Sequence, residues 1–128
     1  MIAFSTFFLL TVVLLVATAW TGKLARRRAH LSLVACTISS LAATIYYAVQ
    51  LGDSYNLESA GTIYHVHMIL ARVATLSYVA PIVSGIAIIR NGRHRALHGK
   101  IALMVIVLTV SAACTGVWMI MSAEKIAA

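Results

Sequence analysis

Lys23-Leu24-Ala25-Arg26-Arg27-Arg28-Ala29-His30 is a basic break between two uncharged apolar runs, and its reading decides the fold. The runs on either side, about 2–21 and 31–51, each meet the ~20 residues that a helix needs to cross a bilayer. A second basic stretch, Arg90-Asn91-Gly92-Arg93-His94-Arg95-Ala96-Leu97-His98-Gly99-Lys100, separates two further runs, about 62–89 and 101–121. Eight of the ten Lys and Arg residues fall in these two stretches, while the three acids, Asp53, Glu58 and Glu124, lie in the other extramembrane segments. Cationic loops are retained on the cytoplasmic side, so both basic stretches are expected inside. The expected fold is all-α: one integral membrane four-helix bundle over residues 1–128, up-down-up-down, with both termini outside.

Composition points the same way. The chain is 62% hydrophobic and 10% charged, far below the ~25% charge of a soluble domain. A net charge of +7 could suggest nucleic acid, but the cations flank membrane spans and no aromatic residues interleave with them. Their expected roles are orientation and headgroup contact in the lipid bilayer. The first run lacks a basic leader and ends in an arginine cluster instead of a small-residue cleavage site, so it reads as a retained helix. Cys36 and Cys114 should differ in depth by roughly 15 Å at ~1.5 Å per residue, beyond disulfide reach, and are expected as apolar packing residues.

Pro81 lies inside the third run, where its missing N–H should kink the helix near Ser77. Trp20 and Trp118 fall near opposite interfaces, and Tyr46, Tyr47, Tyr55 and Tyr64 near the outer one, as an aromatic belt does. Arg27-Arg28-Ala29-His30 opens the second helix and Arg95-Ala96-Leu97-His98 the fourth, a weak parallel repeat of the two halves.

The repeat puts His30 and His98 at matching depth on helices that run parallel. A b-type haem needs two such imidazoles and small residues beside the macrocycle. His30, Thr37 and Thr44 share one face of helix two, and His98, Ala102, Thr109, Ala112 and Gly116 one face of helix four, so a cofactor slot is one reading of these stripes. Arg27, Arg93 or Arg95 would meet the propionates. The rival reading is that the histidines bond headgroups or helix ends, and the stripes serve helix packing. His94 is a fallback ligand. His65 and His67, at the outer start of helix three, could share copper or another metal only if that segment is extended, because in a helix residues two apart diverge by about 200°.

Arg72 is the one charge well inside a span. It lies ten residues, ~15 Å, from the outer end of helix three, where an unpaired guanidinium costs at least ~2.5 kcal/mol. No span contains an acid, so its partner is expected to be a propionate, a quinone carbonyl or another subunit.

Taken together, these pieces resemble a family of small bacterial four-helix membrane proteins, the CtaM/YozB-like group, found alongside haem-copper terminal oxidases. The resemblance runs from about Leu15 to Met121. Its carriers are Arg26-Arg27-Arg28-Ala29-His30, Tyr64-His65-Val66-His67-Met68-Ile69-Leu70-Ala71, Pro81, Arg95-Ala96-Leu97-His98-Gly99-Lys100-Ile101-Ala102 and Thr115-Gly116-Val117-Trp118-Met119. By position it implies that His30, His67 and His98 are the family's histidines. The family's fourth, near the outer end of helix two, is replaced here by Gln50, Leu51 and Gly52. The resemblance also implies a bacterial inner (cytoplasmic) membrane location and a role in oxidase maturation or support, with haem or copper handling.

The sequence-based expectation is therefore a b-type haem protein working beside a respiratory complex such as a haem-copper oxidase, in electron transfer or oxidase maturation. His30 and His98 are the candidate haem-iron ligands, and Arg27, Arg95 and Arg72 are candidate cofactor contacts. His65 and His67 are a candidate second metal site. The rival class is a non-catalytic accessory subunit of a respiratory or photosynthetic complex. A transporter is disfavoured by the lack of a membrane acid for ion coupling. No enzymatic activity of its own, and no nucleic-acid partner, is expected.

Overall fold

The computed structural model describes residues 2–90 and 94–126. It is all-α, with four helical spans, Ile2–Lys23, Arg27–Gly52, Thr62–Arg90 and Arg95–Ser122, each long and apolar enough to cross a bilayer. Contacts gather the chain into two compact units, Met1–Tyr55 and Asn56–Ala128. Each is a helical hairpin.

The first hairpin pairs α1 (Ile2–Lys23) with α2 (Arg27–Gly52). The link between them is tight because the chain reverses in a Schellman turn. The Arg26 N–H donates to the Thr21 carbonyl and the Ala25 N–H to the Gly22 carbonyl, both at 3.3 Å. Ala25 takes the left-handed conformation, φ 55°, that this turn requires and that glycine usually supplies. The seam is polar. Its buried residues are Thr11, Thr37, Ser40 and Thr44, and Thr11 Oγ1 lies 2.8 Å from Ser40 Oγ and 2.9 Å from Thr44 Oγ1. One heptad along, Thr18 and Thr37 hydroxyls meet at 2.9 Å. Apolar side chains such as Leu9, Val13 and Val16 are exposed. In a bilayer, where lipid offers no hydrophobic drive for helices to pair, such a seam of small hydroxyl residues would hold the hairpin and leave the aliphatic ones to the hydrocarbon. Near the loop at the far end of the hairpin, Phe7 stacks on Tyr47 with centroids 5.4 Å apart.

The second hairpin begins with a short 3-10 turn, Leu57–Ala60. Gly61 follows at φ 65°, ψ −132°, a region open to glycine alone, and starts α3 (Thr62–Ser77). A single residue, Tyr78, separates α3 from α4 (Val79–Arg90). Pro81 has no N–H for the Ser77 carbonyl, so the expected break occurs at the expected turn. Helix α5 (Arg95–Ser122) packs back along both pieces, burying Ala74, Val105 and Met119. The Tyr78 hydroxyl is 2.9 Å from Thr109 Oγ1. Thr109 directs its own hydrogen to the Val105 carbonyl at 2.8 Å, so Tyr78 donates and ties the break to α5. The chain closes with the Glu124 N–H donating to Ser59 Oγ at 2.8 Å.

Helices α2 and α5 start at Arg27 and Arg95, where the two basic motifs are expected to open them, and the apolar runs begin four and six residues later, because arginine is a good helix former and membrane length sets only the apolar part. His30 and His98 therefore lie in the first turns of their helices. One sequence-based expectation needs correction. Cys36 and Cys114 are free and exposed, on outward faces and not packed in the seams.

Candidate functional site

Each histidine expected to matter is seated on the neighbouring helix of its own hairpin. His30 Nδ1 is 3.0 Å from the Thr18 carbonyl oxygen of α1. A carbonyl can only accept, so in the neutral ring Nδ1 carries the hydrogen and Nε2 the lone pair. His98 Nδ1 is 2.9 Å from Ser84 Oγ of α4. The Ser84 hydroxyl also reaches the Pro81 carbonyl at 3.3 Å, so it can accept from Nδ1 or donate to it. His67 Nδ1 is 3.2 Å from Thr115 Oγ1 of α5, and Thr115 gives its hydrogen to the Ser111 and Ala112 carbonyls at 2.9 and 3.1 Å. All three rings are thus held at Nδ1 by the neighbouring helix, and for His30 the carbonyl partner makes Nε2 the basic nitrogen.

Glycines make room for these rings. A methyl group at Gly116 would stand 2.8 Å from His67 Cε1, one at Gly22 3.2 Å from His30 Cε1, and one at Gly85 3.6 Å from His98 Cε1. Only the first distance is a clash. His30 and His98 also share a local pattern. Arg27 is three residues before His30 and Arg95 three before His98, a spacing that puts cation and ring on one side of the helix. Both arginines are exposed and both histidines half-buried.

The stripes read as a cofactor slot are engaged inside the hairpins. On α2, His30 and Thr37 contact Thr18 and Thr44 contacts Thr11. On α5, His98, Thr109 and Gly116 meet Ser84, Tyr78 and His67. This is the packing alternative. The sequence reading missed Thr18, Gly22, Ser84 and Gly85 as the seats of the two rings. One signal was available, since Thr11 and Thr18 repeat on α1 the heptad that Thr37 and Thr44 make on α2.

The structure does not bring His65 and His67 together. Helix α3 already runs from Thr62, so the two rings diverge: His67 packs on α5, while His65 is exposed and meets Tyr64 edge-on at 5.2 Å. Among the described residues, no three His, Cys, Asp or Glu side chains converge on a metal position. His94 is exposed at the N-cap of α5. Arg93 lies outside the described residues. Arg72 is exposed, with no hydrogen bond or ion pair among the described residues.

Comparison of the chain with protein-family models, characterised proteins and solved structures returned no match.

Proposed function

We propose that this multi-pass membrane protein binds a b-type haem through His30 and His98 and works beside a respiratory complex, such as a haem-copper oxidase, in electron transfer or oxidase maturation. The carrying observation is the matched seating of the two rings. Histidines that ligate a metal through Nε2 almost always donate Nδ1–H to a fixed acceptor, which sets the tautomer and raises ligand basicity. His30 on the Thr18 carbonyl has that arrangement, and His98 has at Nδ1 a serine hydroxyl able to accept in the same way. Arg27 and Arg95, each three residues away, are the cations to neutralise propionates, in a chain whose three acids lie outside the spans. Bound between two imidazoles, haem iron supplies one-electron transfer. Topology completes the proposal: basic loops inside and termini outside, in a bacterial cytoplasmic membrane.

Exposed Arg72 favours a second reading, an accessory subunit without cofactor whose partner completes the charge. One spectrum separates the two. The detergent-purified chain, oxidised and then reduced, should show a low-spin haem. His30→Ala and His98→Ala should each lose it, and His67→Ala should keep it. A haem that survives in the His30→Ala, His98→Ala double variant would sink the ligand assignment, and a colourless wild-type protein would leave the accessory subunit.

A further inference from the structure

Arg72 has a partner problem that the chain cannot solve for itself. Helix α3 faces α5 through His67 and the buried Ala74. Residues two apart on a helix stand about 200° apart, so Arg72 projects away from that seam. His65, Ile69 and Leu76, at spacings of seven, three and four, share its face, and all are exposed, Ile69 at 63% and Leu76 at 72%. Charged residues at such depth almost always turn toward a bundle interior or a watery cavity. Here the hairpin's interior is on the opposite side.

The missing counter-charge has few sources once the propionates of the proposed haem are assigned, as above, to Arg27 and Arg95. Asp53, Glu58 and Glu124 are the only acids of the chain. All three lie outside the spans, so neither another segment nor a second copy can present a carboxylate at the level of Arg72; a second copy docked symmetrically would add another cation. A lipid phosphate sits at the surface. Arg72 is ten residues into α3, more than two helical turns of ~5.4 Å pitch, so snorkelling shortens the distance to that surface without closing it.

We infer that the face formed by His65, Ile69, Arg72 and Leu76 docks a transmembrane helix of another protein that carries one carboxylate at matching depth. The apolar members pack against the helix, and the guanidinium takes the carboxylate in paired N–H···O bonds, the geometry that suits arginine better than lysine. The inference rests on the proposed position beside a larger membrane complex for its biological partner, and on Arg72 for its chemistry.

The test uses the full chain in phosphatidylcholine vesicles, which offer no net anionic lipid. The probe is a polyleucine transmembrane peptide with one glutamate at its midpoint, compared with its glutamine twin. Energy transfer between labelled chain and labelled peptide measures association. The wild type should prefer the glutamate peptide by about tenfold or more at a pH where the carboxyl is ionised, and Arg72→Leu, which makes the span more apolar and easier to insert, should abolish the preference. Equal association with both peptides overturns the inference, as does a preference that survives in Arg72→Leu. If the two chains differ only in retention of a labelled phosphatidylglycerol, the occupant is a headgroup and the docking face is withdrawn. Haem and docking are read separately. A colourless chain that keeps the glutamate preference retires only the haem reading, and a haem-bearing chain without it retires only this one.

Discussion

The two hairpins solve the same packing problem with different chemistry. In the first, buried hydroxyls of Thr11, Ser40 and Thr44 meet one another across the seam. In the second, Ala74, Val105 and Met119 are buried, and polar contacts come from His67, His98 and Tyr78. They differ in continuity too, since α1 is unbroken where α3 and α4 part at Tyr78. One device is common to both: a histidine near the start of the second helix whose Nδ1 is held by the preceding helix beside a glycine. The first hairpin already has a hydroxyl seam, to which its histidine adds one more contact across the helices, whereas the second takes most of its polar contacts from histidines. That asymmetry is what makes the repeated device a functional candidate.

The largest expected effect separates the glycines by how closely a ring approaches. Gly116→Ala puts a methyl 2.8 Å from His67 Cε1. Overpacking of about 1–3 kcal/mol outweighs alanine's helix advantage of about 1 kcal/mol, so the second hairpin should lose stability. Gly85→Ala meets His98 only at 3.6 Å, and the propensity gain should leave it neutral or up to about 1 kcal/mol more stable. Gly22→Ala, at 3.2 Å from His30, should fall between. Denaturant titration of the three variants in one micelle system gives the order. A Gly116→Ala protein as stable as Gly85→Ala would show that the His67 ring has room to move.

A smaller effect compares the two kinds of seam. Thr11→Val keeps the shape and removes the hydroxyl that touches both Ser40 and Thr44. Those two retain acceptors, the Phe7 carbonyl at 3.3 Å and the Ser40 carbonyl at 2.9 Å, so no buried group is orphaned and the loss should be about 1 kcal/mol, within the range for interhelical bonds in membranes. Tyr78→Phe removes one bond to Thr109 and should cost about 0.6 kcal/mol. If Tyr78→Phe proves the more damaging, the break between α3 and α4 depends on that bond more than the first hairpin depends on its hydroxyl cluster.

Legibility followed the physics of each feature. The four spans and the break before Pro81 were readable because apolar length and a missing N–H act locally. The helix starts at Arg27 and Arg95 are legible from the basic motifs and not from the apolar runs, since hydropathy marks the membrane and not the end of hydrogen bonding. The histidines were identified as residues, and their seats were not. Whether the face bearing His30, Thr37 and Thr44 turns toward α1 or elsewhere depends on how α1 presents Thr11 and Thr18, a relation between helices that periodicity within one helix cannot supply. The pair His65 and His67 was decided by one boundary: with α3 already helical from Thr62, the two rings separate.

The smallest effect tests the turn that lets the first hairpin close so tightly. Ala25 sits at φ 55°, where a Cβ crowds the following carbonyl at about 1–2 kcal/mol for a residue other than glycine. Ala25→Gly relieves that strain, while the freer unfolded chain takes back about 0.4–1 kcal/mol. The net should be a gain near 0.5 kcal/mol, confined to the first hairpin. Equilibrium denaturation followed at Trp20, beside the turn, should register the gain, and at Trp118 in the second hairpin it should register none. A loss of stability in Ala25→Gly would mean that the Schellman bonds from Arg26 and Ala25 do not govern the reversal. A gain read equally at both tryptophans would mean that the hairpins unfold as one cooperative unit, and the contrast between their seams would then lie in structure and not in separable stability.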